Sequence, residues 1–372
     1  MSGDQEAALS AMGWKVKTFR AQDPDMGAWE SYYDRLTNPN RGVYHDPRYI
    51  KVLAGHLGGK AELFVLTDDE DLVYYPYFLR RLEGLPFAER CEIDLAQYHD
   101  IISSWYYGGP LIECPDERRR RELARRFVTI FGDYCRDQRI VSEFIRFDPN
   151  IGNHDCFEGL LDTKRLWETV YVDLSLSAED IWKGMETRCR TSIRKAVKSG
   201  VEVRVSCDEK EIEMFHSIYR NEMKRKGAPR HYDVSLEFLV ELFRSLEGKA
   251  VLISASRDGE FIGSSVCLYE KGAVAHDYLM ATDPRYWKLQ PNNLIIYKAI
   301  EWSKDAGLRV YDLQGGREGV YRFKKAFSRA GKGFYTASVI HDRETYDHLK
   351  KKKCEVLGEE RFFPEYRTAD ST

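Results

Sequence analysis

The chain has 372 residues, 43% of them hydrophobic and 31% charged, which suits two soluble globular domains with sizeable cores. A net charge of -3 and a pI near 6.4 exclude a general polycation, so an anionic partner must be met by a local basic patch. The apolar runs fall far short of the roughly 20 residues that span a bilayer, which leaves at most peripheral membrane contact.

The eight cysteines are scattered, with no CxxC and no zinc-like Cys/His spacing, so no metal is expected. The N-terminus carries no secretory-leader pattern, and reduced thiols in a cytoplasmic protein are the expectation.

From Trp14 onward, strand and helix signals alternate. "KVKTF" reads as a strand. "DPRYIKVLAGHLGG" reads as a helix capped by Asp46, with Pro47 at its first position. "AELFVL" and "LVYYPYFL" are strands. "PDERRRRELARRFVTIFGDYCRDQ" is a long amphipathic helix with Leu123, Phe127, Ile130 and Phe131 as its stripe. "VSEFIRFDP" is again a strand.

The pattern restarts near Trp167. The strand "TVYVDL" leads to a helix capped by Ser177 and to a basic helix, "CRTSIRKAVKSG", closed by Gly200. The strand "VEVRV" and two helices follow. "AVLISAS", "EFIGSSVCLYE" and "AVAHDYLMA" then form an antiparallel meander, its first turn made by Asp258 and Gly259. A helix from Pro291 to Gly307 and the strand "RVYDL" complete the order. This is an α+β arrangement rather than a doubly wound parallel sheet. The first half shows a looser version of it, so two related lobes are expected at 1–165 and 166–345. Residues 346–372 are expected to form a tail packing back on the first lobe.

Three segments carry a resemblance: "DIISSWYYGGPL" (Asp100–Leu111), "RCRTSIRKAVKSGVEVRV" (Arg188–Val205) and "LIIYKAIEWSKDAGLRVYDLQGGREGVYRFKKAF" (Leu294–Phe327). Together they resemble the Fem-type transferases of the N-acyltransferase (GNAT) superfamily. The resemblance implies tandem GNAT-like domains, each a mostly antiparallel mixed sheet flanked by helices. It also implies transfer of an amino acid from aminoacyl-tRNA to an amine, in cell-wall or peptide biosynthesis, with no cofactor beyond the charged tRNA. Two departures stand out. The helices after Asp208 are too short for the coiled-coil arm of some members. The stretch "DPRYWKLQPNN" (Asp283–Asn293) lacks the glycine loop that cradles a CoA pyrophosphate, and Pro291 removes a backbone donor there. An acyl-CoA or acyl-carrier N-acyltransferase on the same fold is the alternative.

Attack of an amine on an activated ester creates an oxyanion that needs a positioned cation or donor. In "DLQGGREGVYRFKKAF", Gly315 and Gly316 let the chain turn sharply at a strand end. By the resemblance, Lys324 is the oxyanion stabiliser and Phe323 packs the pocket. The bland reading makes Arg322, Lys324 and Lys325 a solvated helix start between core aromatics.

Arg190, Arg194 and Lys198 recur at i, i+4 and i+8 on one helical face, suited to phosphates. The resemblance makes Arg190 and Arg194 contacts for a phosphorylated acceptor or the tRNA end; a solvated face is the competing account. Lys224, Arg225 and Arg230, with aromatics nearby, suit exposed tRNA bases, against an ordinary cationic helix end. Tyr106 and Tyr107 are candidates to line an acceptor groove, or simply to pack on bared glycine backbone. Strand alternation puts His276 and Asp277 on opposite faces, with Asp277 toward the cleft and His276 a satisfied strand histidine.

Overall fold

A computed structural model describes residues 13–21, 26–57, 59–229, 232–358 and 363–368. The chain forms two compact units, the first made of Met1–Asn40, Tyr44–Leu166 and Phe334–Thr372, the second of Arg41–Val43 and Trp167–Gly333.

The first unit holds strands β1 (Lys15–Arg20), β2 (Lys60–Thr67), β3 (Leu72–Arg81), β4 (His99–Ile102) and β6 (Ile140–Arg146), hydrogen-bonded in that order. All neighbours are antiparallel except β4 and β6, which run parallel. A short strand, β5 (Leu111–Glu113), pairs with β3. Residues Thr336–Ile340 of the last strand, β13 (Gly331–Ile340), pair antiparallel with β6. Helix α1 (Met26–Asp34) buries Trp29, whose indole donates to the Tyr74 hydroxyl at 2.6 Å. Helix α2 (Pro47–Leu57) begins at the expected proline.

Helix α3 (Glu117–Asp137) starts where the Asp116 carboxylate accepts the Arg119 N–H at 2.9 Å. Its buried face sets Phe131 edge-on against Phe64, with ring centroids 4.9 Å apart. Helix α10 (Arg343–Leu357) and Tyr366 join Leu82, Val141 and Tyr346 in a separate apolar cluster. Beside it, the fully buried Asp100 carboxylate accepts from Arg80 Nε at 2.8 Å and from Arg367 Nε at 2.6 Å. Burial pushes that carboxyl up, but the two guanidinium groups outweigh it and hold its pKa below the usual value.

The second unit orders its strands β7-β12-β11-β10-β9-β8. These are β7 (Thr163–Asp173, from Trp167 onward in this unit), β8 (Val201–Ser206), β9 (Ala250–Arg257), β10 (Glu260–Tyr269), β11 (Val274–Thr282) and β12 (Val310–Gln314). Again a single neighbouring pair, β11 with β12, is parallel. Helices α4 (Ala178–Gly184), α5 (Thr187–Lys198) and α8 (Pro291–Asp305) share one core with the sheet through Ile181, Ile193, Ile295 and Ala299. Helices α6 (Glu209–Lys226) and α7 (Leu236–Ser245) are capped by Asp208 and Ser235, and α6 packs on β10 and β11.

Both units therefore follow one scheme: an antiparallel run, a helix (α3 or α8), a parallel pairing, and an antiparallel closing strand. This is the expected α+β architecture of tandem GNAT-like domains, with no coiled-coil arm among the described residues. No helix of the described residues is long and apolar enough to cross a membrane.

Candidate functional site

The parallel register of β11 and β12 ends at His276 and Asp312. There the Asp312 carboxylate meets His276 Nδ1 at 3.0 Å and accepts the backbone N–H of Gln314 at 2.7 Å. His276 is thus the satisfied strand histidine expected from the alternation. Asp277 is the next residue on β11, beyond the last parallel pair. Its carboxylate accepts the Ser265 hydroxyl at 2.6 Å and is 7% exposed.

On β12 the chain leaves the sheet through a tight turn. Gln314 adopts φ +62° and Gly316 φ +152°, both right of the usual L-residue regions. A side chain at either glycine would also have to push a neighbouring side chain aside. A Cβ on Gly315 would lie 2.6 Å from Trp167 Nε1, and one on Gly316 2.9 Å from Val320 Cγ1.

The turn leads into α9 (Glu318–Lys325), a short helix that carries Lys324 inward. The Lys324 side chain is 9% exposed, and its Nζ donates to the Gly315 carbonyl at 2.9 Å. It is no solvated helix start. Burial lowers its pKa, and the charges of Asp277 and Asp312 act against that. Burial likewise raises the Asp277 pKa, with Lys324 pulling it back. A buried ammonium with one proton committed to a carbonyl retains two further donors for a developing negative charge.

Arg322 and Lys325 are the outward cations of the same helix. Arg322 pairs with Glu318, and Lys325 Nζ lies 2.6 Å from Glu168 Oε1. Phe323 packs edge-on against Phe327 at 5.4 Å and lines a cleft of about 290 Å³ with Arg188, Cys189, Asn293 and Arg322.

The other candidates are not gathered here. Arg190 folds back on the end of α4, donating to the carbonyls of Lys183 (3.1 Å) and Met185 and to Thr187 Oγ1 (3.2 Å). Arg194 lies over the Trp182 ring at 5.1 Å, and Lys198 is exposed at the end of α5. Two cations of the stripe thus have structural partners already. In the last turn of α6, Lys224 is exposed and Arg225 stacks over Trp287 at 4.8 Å. Arg230 lies outside the described residues. In the first unit, Tyr107 is buried edge-on against Tyr44 at 5.4 Å. Tyr106, at φ +68°, stacks on Trp105 at 5.0 Å.

Sequence reasoning missed Asp312, Ser265, Glu168 and Trp167. Asp312 stands between core Tyr311 and Leu313 in "RVYDL", so a lone charge inside an apolar strand could have flagged it. Glu168 and Trp167 meet α9 and its turn only through tertiary structure.

Where a pyrophosphate cradle would lie, residues 283–291 form a short 3-10 helix (Pro284–Leu289), the left-handed Gln290 and Pro291. The Asp283 carboxylate already takes the Arg285 N–H at 2.8 Å. Asp283 thus caps this short helix, while α8 begins at Gln290 with no side-chain cap and with Pro291, which lacks an N–H, at its first position.

Residues 183–325 match the model of a family described as acetyltransferase (GNAT) domain. No curated protein sequence matches the chain. Among solved structures, FemX is 11% identical with a TM-score of 0.66, over 89% of this chain and 99% of that one. L-PGS from Bacillus licheniformis is 12% identical with a TM-score of 0.52, over 91% and 98%. A conserved protein of unknown function from Bacteroides thetaiotaomicron is 10% identical with a TM-score of 0.56, over 85% and 96%. At these identities the likeness is one of fold. Residues 183–325, which include Asp277, Lys324 and the Gly315–Gly316 turn, are a GNAT-type domain; the chain is an enzyme of the acyltransferase class with the fold of FemX.

Proposed function

We propose that the chain is a cytoplasmic aminoacyl-tRNA-dependent aminoacyltransferase that forms an amide between the amino acid of a charged tRNA and an amine acceptor, a peptide or a cell-wall precursor. The neutral amine attacks the ester carbonyl and forms the new C–N bond. The Lys324 ammonium stabilises the oxyanion. As it collapses, the ester C–O bond breaks, and the proton released by the amine reaches the departing ribose oxygen directly or through water. No cofactor besides the charged tRNA enters this scheme. Phe323 walls the pocket, and Lys198, Lys224, Arg225 and Arg230 supply charge to the RNA.

The observation that carries this reading is a buried Lys324 that feels the charge of Asp277, together with a segment before α8 that has Pro291 and no glycine. A cation suited to an ester, and a preceding segment without the glycines of a pyrophosphate loop, favour the tRNA ester as donor. The acetyltransferase description of the matched family favours the second reading, acyl-CoA as donor.

The test is transfer of labelled amino acids from a charged tRNA pool to the small-molecule fraction of a cell extract, with Lys324→Ala as control. Label that moves with wild type and not with the variant supports the first reading. Consumption of acetyl-CoA or another thioester without movement of any amino acid overturns it.

A further inference from the structure

Strands β11 and β12 stop pairing at His276 and Asp312, and Asp277 is the first residue past that point on β11. Its carboxylate is buried, and only Oδ1 has a partner, the Ser265 hydroxyl at 2.6 Å. The other oxygen, Oδ2, accepts no hydrogen bond among the described residues, and it is not sealed from solvent. Lys324 is close enough for the two charges to shift one another. Yet among the described residues the two form no ion pair, and the Lys324 Nζ is turned to the Gly315 carbonyl. Asp312, the other nearby acid, is spent on His276 and on the Gln314 N–H. The centre therefore holds a buried ammonium and a buried carboxylate apart, each with bonding capacity left.

We propose that Asp277 binds the α-ammonium of the amino acid being transferred, while Lys324 holds the carbonyl of the same residue. A carboxylate taken out of water needs a cation, and an unused carboxylate oxygen is a strong acceptor for a charged N–H donor. In an aminoacyl ester a single carbon separates the ammonium from the carbonyl, so one small group reaches both side chains. The charges stand in the matching order: the cation meets the carbonyl oxygen and the anion meets the ammonium. The α-ammonium keeps its protons throughout, and the acceptor amine attacks the carbonyl beside it. A simple acyl group such as acetyl offers Asp277 nothing. The pair therefore selects an α-amino ester over a plain acyl thioester. This inference rests on the aminoacyl-tRNA reading and names the part of that donor the site recognises.

The experiment compares two donors that differ at the α-position. One is a tRNA pool charged with carbon-labelled amino acids. The other is the same charged pool after nitrous acid, which replaces the ammonium by a hydroxyl of similar size. Both are offered at about pH 7, where an α-amine is largely protonated, with the small-molecule fraction of a cell extract as acceptor. Wild type and Asp277→Asn are assayed, and circular dichroism confirms that the variant is folded. The preference in kcat/KM for the amino over the hydroxy donor is expected to be about 100-fold larger in wild type than in the variant. Filter binding of the two donors without acceptor reads the same preference independently of turnover. An equal preference in the two proteins overturns the ammonium site and leaves the donor reading standing, as does a wild type that uses both donors equally well. If wild type moves neither acyl group but consumes acetyl-CoA, the donor reading falls and takes the ammonium site with it.

Discussion

Glu168, midway along β7, takes the ammonium of Lys325 at 2.6 Å and the hydroxyl of Tyr321 at 2.8 Å on the same carboxylate oxygen. Both partners belong to α9, so the helix that carries Lys324 is pinned to a strand from its outer side. The ion pair is partly exposed and contributes at most about 1 kcal/mol to stability. Its effect on orientation is expected to be larger. Glu168→Ala should lower kcat about tenfold with KM little changed. Glu168→Gln, which still accepts from Tyr321, should recover most of that loss. Steady-state kinetics on the three proteins decide it.

Lys324→Ala should lower kcat by about 100- to 1000-fold, as loss of an oxyanion donor does elsewhere. The pH dependence has a definite sign. Burial sets the Lys324 pKa below its ordinary 10.5, so a rate that needs the ammonium falls at a lower pH than for an exposed lysine. Between the folded value and 10.5 the unfolded chain holds more protons, so this group's contribution to stability rises with pH there. Urea unfolding across that range should show the rise in wild type and not in Lys324→Met.

Asp277 behaves in the opposite sense. Burial lifts its pKa above 3.8 in the folded protein and Lys324 draws it back down. Its contribution to stability is therefore full below 3.8 and declines as pH rises through the folded value. Removing the opposing charge in Lys324→Met should lift the Asp277 pKa further. Carboxyl carbon NMR on the labelled protein would read this, and an unchanged titration would show that the two groups do not interact.

Gly263 adopts φ +148° at the irregularity between β9 and β10, and a Cβ there would lie 2.6 Å from the Ala281 carbonyl oxygen and from Thr282 Cα. Backbone atoms cannot swing aside as a side chain can. Gly263→Ala is expected to destabilise the protein by about 3 kcal/mol or more, visible in calorimetry as a clear fall in Tm.

The basic residues should separate into two groups. Arg190 holds carbonyls at the end of α4, so Arg190→Ala should lower stability by about 1–2 kcal/mol and leave the salt dependence of RNA binding alone. Lys198 and Lys224 are exposed. Their alanine variants should keep wild-type stability, while each lowers the salt slope of binding by about one.

Much of this was legible in the sequence because local chemistry and tertiary structure agree. Ser177 caps its helix as its place in the sequence implies, and the meander of β9, β10 and β11 follows from its turns and apolar runs. The inward course of Lys324 came from the resemblance; a cation between aromatics otherwise reads as surface. Strand β13 was not anticipated, since Gly331 and Gly333 weaken its pattern, and helix α10 was read only as tail. The stripe Arg190–Arg194–Lys198 shows the converse limit. Spacing put the three on one face, but it could not show that Arg190 would turn to the backbone of α4 and Arg194 to Trp182.

The first unit takes its closing strand, helix α10 and Arg367 from residues that follow the second unit in the chain. A growing polypeptide therefore completes everything the second unit needs before the first has its final strand. During synthesis the first unit must wait with the β6 edge unpaired and the Asp100 carboxylate facing Arg80 alone. The unit bearing Lys324 is then the earlier to mature, although it is encoded later.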